Sequence, residues 1–238
     1  MTRSEEDGVR SGTGGSMLVL AALLSVGCVG PGPSDLRTDP PSPGVRPLPA
    51  PERDGSTSVE AAIEARRSVR DLDPRPLTDA QVGQLLWSAQ GVTDPAGLRA
   101  APSAGATYPL ELYAVTPDGV ARYVPTDHGL LDHLAGDHRA EVTATTRGQT
   151  WVSDASLVVV VTGVQARTAE RYGDRARRYM LLEAGHAAQN LLLQATAMGL
   201  VATPVGAFDD DALARALLLP DAEVPLYLLP IGVPSETR

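Results

Sequence analysis

The segment Ser156-Leu-Val-Val-Val-Val-Thr-Gly163 and the longer run from Arg175 to Leu200 decide the fold class of this 238-residue chain. The first is a continuous stretch rich in β-branched residues, which predicts a strand buried on both faces. The second has apolar and small residues at helical spacing and predicts the longest helix of the chain. Together they predict a core in which helices pack against a sheet.

Weaker patterns on either side of these segments complete the predicted architecture. Two helices come first, one capped by Ser58 and the next capped by Thr78. The first helix has one face formed by Val59, Ala62, Ile63 and Arg66. Strands are predicted over residues 110–116, 120–124 and 226–233, the first two joined as a hairpin through Pro117-Asp118-Gly119. This order predicts an α+β sandwich whose central, mostly antiparallel sheet is flanked by helices.

The composition excludes several functional classes. The net charge is -9 and the pI about 4.9, which disfavours binding to the phosphate backbone of nucleic acid. All 20 basic residues are arginine, a bias that a GC-rich genome or a preference for forked phosphate contacts would explain. Because the chain has no lysine, Schiff-base chemistry and any lysine acid or base are excluded. No metal-ligand motif is predicted.

The beginning of the chain predicts a membrane anchor. An apolar run from Met17 to Gly27 has the length of a signal-peptide core and meets Cys28, the one cysteine of the chain. This order resembles a bacterial lipoprotein signal over residues 1–28, in which Cys28 would be lipidated after cleavage. Ser25 departs from the leucine expected there, and a simple N-terminal anchor or a stray apolar stretch are the alternatives.

The resemblance to a signal predicts the location of the protein, and the composition of the residues that follow predicts where the folded domain begins. Residues 29–57 are rich in Pro, Gly and Ser and predict an extended linker. Residues 58–238 are predicted to form one domain. The expected location is the cell envelope, with the cytoplasm as the alternative if the lipoprotein interpretation fails.

A dense arginine cluster follows the first predicted helix. Arg66-Arg67-Ser68-Val69-Arg70 places three guanidinium groups and a hydroxyl within five residues. Guanidinium forks match phosphate oxygens bidentately, and a serine hydroxyl adds an uncharged donor. A solvated basic helix end, stabilised by the helix dipole, is the alternative explanation.

Two further segments are rich in small residues. The loop Pro102-Ser-Ala-Gly-Ala-Thr-Tyr-Pro109 would let backbone amides approach a flat ring closely, although an ordinary turn has the same composition. Glu183 to Leu191 lies inside the predicted long helix, where small residues permit close packing against another helix or a cofactor.

Taken together and in this order, these segments resemble the nitroreductase superfamily, and most closely its SagB/ThcOx-type FMN-dependent dehydrogenase branch. The resemblance extends from about Val59 to Val233. The matching segments are Arg66 to Arg70, Pro102 to Pro109, Arg171-Tyr-Gly-Asp-Arg175, Arg178-Tyr179 and Glu183 to Leu191. The resemblance implies a nitroreductase-like α-β-α sandwich that binds flavin mononucleotide (FMN).

The resemblance also implies roles for individual residues. Arg66 and Ser68, assisted by Arg67, would contact the FMN phosphate or ribityl chain, and Arg70 would lie near the pyrimidine edge of the flavin. The flavin ring would be lined by Ser103, Ala104 and Gly105 and covered on its other side by the segment Pro204-Val205-Gly206-Ala207. Arg238 would supply a late phosphate contact. Tyr108 and Tyr172 are candidates for contacts on the substrate side.

The activity that the resemblance implies is FMN-dependent oxidoreduction by a ping-pong mechanism, with hydride passing through flavin N5 and NAD(P)H or an organic substrate as donor. Family members usually form intertwined homodimers with flavin sites at the subunit interface, so a homodimer is expected. One rival is an azoline or peptide dehydrogenase of natural-product biosynthesis. Such enzymes are associated with a Lys-Tyr pair, and its nearest counterpart here is Arg171-Tyr172, in which arginine cannot act as a base. The other rival is a tethered, non-catalytic flavin-binding module.

Overall fold

A computed structural model describes residues 41–235 of the chain. The predicted lipoprotein signal, Cys28 and Arg238 lie outside the described residues. The described part contains the strands β1 (Val45–Pro47), β2 (Leu72–Asp73), β3 (Leu110–Thr116), β4 (Gly119–Val124), β5 (Gly129–Ala135), β6 (Leu157–Gly163), β7 (Val201–Ala202) and β8 (Val224–Pro234). Its α-helices are α1 (Val59–Ala65), α2 (Asp79–Gln90), α3 (Arg139–Ala144), α4 (Gln165–Tyr172), α5 (Ala176–Ala197) and α6 (Asp210–Ala216).

The strands form one antiparallel sheet in the order β1-β5-β4-β3-β6-β8-β2, with β7 paired to β8. Strand β6 is central, since it pairs with β3 on one side and with β8 on the other. All seven residues of β6 are buried, which confirms the prediction made from its β-branched run. The hairpin of β3 and β4 is confirmed as well, with Thr116 opposite Gly119.

Two apolar clusters show that helices cover both faces of the sheet. On one face, side chains of α2 and α5 such as Leu86 and Leu191 pack against Leu112 and Val159. On the other face, side chains of α3 and α6 pack against the residues that alternate with these, including Val158 and Val160. The α+β sandwich with a central antiparallel sheet is therefore confirmed, because successive residues of a strand point to opposite faces and each face has its own helical cover.

The predicted helix caps are present. The Ser58 hydroxyl accepts a hydrogen bond from the Ala61 amide at the start of α1, and Thr78 forms a reciprocal capping box with Gln81 at the start of α2. The end of α5 has a bond from the Leu200 amide to the Ala195 carbonyl, with Gly199 at a φ of +71°. This is the closing turn that favours glycine.

Two findings differ from the simple reading of the sequence. Within the predicted linker 29–57, residues 45–47 form β1 and pair with β5, so ordered pairing begins before Ser58. The proline-rich composition of this segment indicated a linker and not a strand. Pro47 can take part in β1 because β1 lies at the edge of the sheet, where proline is tolerated. In addition, Ala62 on the shared face of α1 is buried, but Val59 and Ile63 on that face are 63% and 57% exposed, so residues 41–235 cover the face only in part. None of the helices in residues 41–235 is both long and apolar enough to cross a membrane.

Candidate functional site

The arginine cluster lies where the chain leaves α1 and runs beside β7. Ser68 forms a parallel bridge with Ala202, and the Thr203 hydroxyl donates to the Val69 carbonyl at 2.7 Å. The cluster is therefore held by its backbone against Ala202 and Thr203, directly before the segment 204–207 that was predicted to cover the flavin. Of its polar side chains, Ser68 and Arg70 are exposed and Arg66 is half-buried.

The three arginines of the cluster differ in what they already bind. Arg67 Nη1 donates to the carbonyls of Glu64 and Arg66 at 2.6 and 2.8 Å, so this guanidinium closes the end of α1. Arg70 lies over the Trp151 ring with its Cζ 5.7 Å from the ring centroid. Among residues 41–235, Arg66 and Arg70 form no ion pair and no side-chain hydrogen bond. The helix-end interpretation thus describes Arg67, whereas Arg66, Ser68 and Arg70 keep donors for a ligand.

In the segment that follows Thr203, the Val205 amide is hydrogen-bonded to the backbone and, among the described residues, the Gly206 amide is not. Val205 is buried and exchanges two backbone hydrogen bonds with Leu228, at 2.8 and 3.0 Å. Its N–H is therefore unavailable to a ligand. Gly206 is exposed, and its N–H donates to no backbone carbonyl within the described part of the chain. Of the two residues predicted here, Gly206 is thus the one whose amide can meet a flavin.

The small-residue loop 102–109 is tightly turned and held from within. Gly105, Ala106 and Tyr108 all have positive φ, at 61°, 53° and 44°. The Ser103 hydroxyl accepts from the Tyr108 amide at 2.9 Å, and the Thr107 and Thr168 hydroxyls lie 2.8 Å apart. Left-handed backbone at non-glycine residues is strained and is concentrated at functional sites. Three of the four residues 105–108 thus have a left-handed backbone.

The second tyrosine candidate lies directly against this loop. A Cβ at position 105 would lie 2.7 Å from Tyr172 Oη and 2.9 Å from Arg171 Nη1, so a residue without a side chain is required for this approach. The Tyr172 ring packs edge-on to Tyr179, with centroids 5.0 Å apart. The end of α4 therefore packs against the loop. The structure thus brings together Gly105 and Tyr172, two of the residues that were predicted for the site.

Tyr108, the other tyrosine candidate, is held by Arg99. The Tyr108 hydroxyl accepts from the Arg99 amide at 3.3 Å, and the Arg99 guanidinium lies over the Tyr108 ring at 4.4 Å. On its other side, Arg167 Nη1 donates to the Tyr108 carbonyl at 3.1 Å. These contacts make Tyr108 a fixed part of the loop, with its hydroxyl hydrogen still available as a donor.

Beneath the loop lies a buried polar cluster that the sequence interpretation did not identify. Glu183 on α5 is 3% exposed, and its Oε1 has no hydrogen-bond partner among the described residues. Burial raises the pKa of the Glu183 carboxyl, against the opposing effects of Ser103, Gln90 and the charge of Arg99. Burial likewise lowers the pKa of Arg99, which donates to Gln90 Oε1 at 3.0 Å. The one sequence signal that could have identified Glu183 is an acidic residue within a run of small helical residues.

The predicted residues thus fall into two groups. Arg66, Ser68 and Arg70 lie with the 203–207 segment, whereas the loop 102–109 lies with α4 and α5. Within residues 41–235, no hydrogen bond joins the 66–70 cluster to the 102–109 loop. The first group supplies cationic and hydroxyl donors for a phosphate. The second group supplies a loop of small residues whose backbone can lie close to a flat ring. Together they have the features that a flat ligand with a phosphate requires.

A large groove lies apart from the residues that were predicted to bind the flavin, and the described residues form no cluster of metal ligands. A groove of about 680 Å³ runs between residues 50–59, α2 and α5, and its lining includes none of the described residues predicted to bind the flavin. Residues 41–235 also contain no group of three or more His, Cys, Asp or Glu side chains able to hold a metal ion.

Comparisons with known proteins agree with this architecture. The Nitroreductase family matches residues 63–233. A protein of Methanocaldococcus jannaschii named as a nitroreductase is 38% identical over 180 residues, which cover 73% of this chain and 90% of that protein. A crystal structure from Ralstonia eutropha, also named as a nitroreductase, is 30% identical with a TM-score of 0.75 and covers 82% of this chain and 91% of its own.

A more distant solved structure has the same fold. The NADPH:FMN oxidoreductase of Vibrio harveyi, in complex with NAD+, is 22% identical with a TM-score of 0.57 over 75% of this chain and 69% of that one. The fold and these matches define this chain as an oxidoreductase of the nitroreductase type. It belongs to the Nitroreductase family, since the family covers most of the described domain.

Proposed function

We propose that this oxidoreductase binds FMN and moves electrons from NAD(P)H or an organic donor to a second substrate. The observation that carries the proposal is the arrangement of Arg66, Ser68 and Arg70, whose segment is held by contacts with Ala202 and Thr203, a few residues before the exposed Gly206. When bound, FMN would supply hydride chemistry at its ring, alternating between a donor and an acceptor. This chain would supply phosphate binding, ring positioning and electrostatic tuning.

The individual residues have separable tasks in this proposal. Arg66 and Ser68 would hold the phosphate end through charge-assisted and neutral hydrogen bonds. Arg70 would lie by the pyrimidine edge, where a positive charge stabilises the negative charge that collects there on reduction. Gly105 would let the loop pack closely against Arg171 and Tyr172 and so fix the position of the loop beside the ring. Arg238 would add a phosphate contact from the chain end, which lies outside the described residues.

We further propose that one site is built from two copies of the chain. No hydrogen bond joins the two groups of site residues within residues 41–235, and several apolar side chains of α1 and α5 are exposed. These are Val59 and Ile63, with Leu181 at 41% and Leu182 at 52%. A partner subunit would cover them and bring its loop 102–109 to the arginine cluster, forming a homodimer.

The sequence motifs favour the SagB/ThcOx-type branch as the closest subgroup, through the loop 102–109 and the Arg171-to-Leu191 region. Azoline oxidation by this chain is disfavoured, because the chain has no lysine and the arginine of Arg171-Tyr172, the nearest counterpart of the Lys-Tyr pair, cannot act as a base. Attachment to the cell envelope through Cys28 remains a prediction from the sequence.

The experiment that tests FMN binding compares FMN with riboflavin, which lacks the phosphate. The full-length protein is stripped of flavin, and each dissociation constant is measured by flavin fluorescence. Arg66→Ala should weaken FMN binding at least about tenfold, the loss expected for one charge-assisted hydrogen bond, and leave riboflavin binding unchanged. Arg70→Ala should weaken both flavins by similar factors. Arg215→Ala on α6, at an exposed position, is the matched control and should alter neither.

Two outcomes decide against the proposal. A colourless protein that takes up no added FMN would contradict flavin binding altogether. A yellow protein that neither NADH, NADPH nor dithionite reduces would favour the non-catalytic module instead.

Sharing of the site between subunits is tested in the same binding assay. A heterodimer is purified with one tag on an Arg66→Ala chain and another on a Gly105→Ala chain. If each site uses the cluster of one subunit and the loop of its partner, one site carries both changes and the other carries none. Half of the sites should then bind FMN with native affinity. Sites contained within single chains would all be impaired, which would contradict the shared arrangement.

A further inference from the structure

Arg171 stands at the edge of the loop that is proposed to meet the flavin ring. Its Nη1 and Cδ lie 2.9 and 3.0 Å from the position that a Cβ of residue 105 would occupy. The side chain is exposed, and its Cζ is 5.5 Å from the centroid of the neighbouring Tyr172 ring. A guanidinium group is thus held beside a phenol hydroxyl at the rim of the candidate site.

The charge around Arg171 is opposite to that of the whole protein. Residues 165–182 contain five arginines and two acidic residues, a formal charge of +3 in a chain of net charge -9. Only the first of the five, Arg167, is neutralised within residues 41–235, through its 2.6 Å contact with Glu111. The arginines without an ion pair in that part of the chain are Arg171, Arg175, Arg177 and Arg178. A concentrated positive field of this kind attracts anionic ligands.

We propose that the physiological substrate carries a carboxylate or phosphoryl group and that Arg171 binds that anion beside the flavin ring. A guanidinium keeps its charge at all ordinary pH values and presents paired donors that match either oxyanion. The Tyr172 hydroxyl, at the same rim, is placed to donate a further hydrogen bond. This inference rests on the proposed FMN function, because the loop beside Arg171 is taken to be the one that lines the flavin.

The experiment measures binding of small aromatic probes to the full-length, FMN-loaded protein through perturbation of the flavin absorption spectrum. Benzoate and phenyl phosphate carry the two anionic groups, and benzamide is the neutral probe of similar size. Arg171→Gln should raise the dissociation constants of the anions at least about tenfold and leave that of benzamide unchanged. The probe with the larger loss identifies the preferred anion. Added salt should weaken anion binding to the native protein.

The matched control removes the same charge elsewhere. Arg215→Gln lies on α6, which packs on the opposite face of the sheet from α5, and should change no probe affinity. FMN affinity is measured for every variant. If Arg171→Gln weakens FMN instead of the anionic probes, Arg171 belongs to the cofactor site and the proposal is overturned.

A second readout follows electron transfer to matched acceptors. Protein reduced with dithionite is mixed anaerobically with 4-nitrobenzoate or 4-nitrobenzamide, and each nitro group takes two electrons and two protons to give the nitroso compound and water. Arg171→Gln should slow reoxidation by the anion about tenfold at low acceptor concentration and leave reoxidation by the amide unchanged. Equal effects on both acceptors would overturn the inference while the oxidoreductase function stands. A protein that takes up no FMN, or is not reoxidised by either acceptor, would refute the proposed function itself.

Discussion

Replacement of Gly105 by alanine tests both the geometry of the loop and its part in the site. The added Cβ would lie 2.7 Å from Tyr172 Oη and 2.9 Å from Arg171 Nη1, well inside ordinary contact distance. Position 105 also has a φ of +61°, where an L-residue costs about 1–2 kcal/mol. Displacing the two neighbouring side chains adds about 1 kcal/mol, the lower end of overpacking costs, because both contacts are ends of flexible side chains.

A second glycine separates these two contributions. Gly136 follows β5 with a φ of +89°, and nothing lies within 4 Å of the Cβ that an alanine would add there. It lies near the turn after β3, whereas Gly105 lies before the start of β3. Gly136→Ala should therefore lose only the backbone contribution, about 1–2 kcal/mol, and Gly105→Ala about 2–3 kcal/mol.

The assay is urea unfolding of the flavin-free protein, followed by FMN titration of each variant. Gly105→Ala should be less stable than Gly136→Ala by about 1 kcal/mol, equivalent to about 2–4 °C in melting temperature for a domain of this size. It should also bind FMN more weakly, whereas Gly136→Ala should bind it normally. Equal stability losses and equal FMN affinities would refute the reasoning that Gly105 is required by the approach of α4.

Two further predictions concern the interior. Burial raises the pKa of the Glu183 carboxyl, so the stability contributed by its protonated form is complete below the ordinary value of 4.5 and is lost as the pH rises through the folded-state pKa. Glu183→Gln should therefore gain stability relative to the native protein as the pH increases over that window, measured by urea unfolding from pH 4 to 8; a difference independent of pH would contradict a raised pKa. Leu191 is 0% exposed, and Leu191→Ala should cost about 2–5 kcal/mol in the same assay. Leu218→Ala, at a position 67% exposed, should change stability by less than about 0.5 kcal/mol, and a similar loss in both variants would argue against Leu191 as a core residue.

Much of the fold could be predicted from patterns of neighbouring residues, because such patterns indicate which side chains are buried and where helices begin. The β-branched run of β6 predicted a strand covered on both faces, and all its residues are buried. The hydroxyls of Ser58 and Thr78 predicted helix starts, since a cap is formed by residues adjacent in the chain. Strand β1 was not predicted. Its own composition is that of a linker, and its pairing with β5 joins positions that are far apart in the sequence.

The candidate site was predicted in part. The sequence supplied the arginine cluster and the small-residue loop as separate segments, each with an ordinary alternative explanation. It could not separate Arg67, which binds carbonyls at the end of α1, from Arg66 and Arg70, because that difference depends on where each side chain turns. It also gave no reason to connect Glu183 with Arg99, whose proximity arises only when α5 packs beneath the loop.

The sequence by itself determined which residues could be buried, where helices begin and which segments could bind a phosphate or approach a ring, since these are properties of neighbouring residues. The tertiary structure alone decided which donors remain available. In it the Val205 amide is hydrogen-bonded to Leu228, Gly206 is exposed and Arg171 lies beside Gly105. The physical reason is that a hydrogen-bonding group can be satisfied by a distant part of the chain, and only packing determines which groups are satisfied in this way.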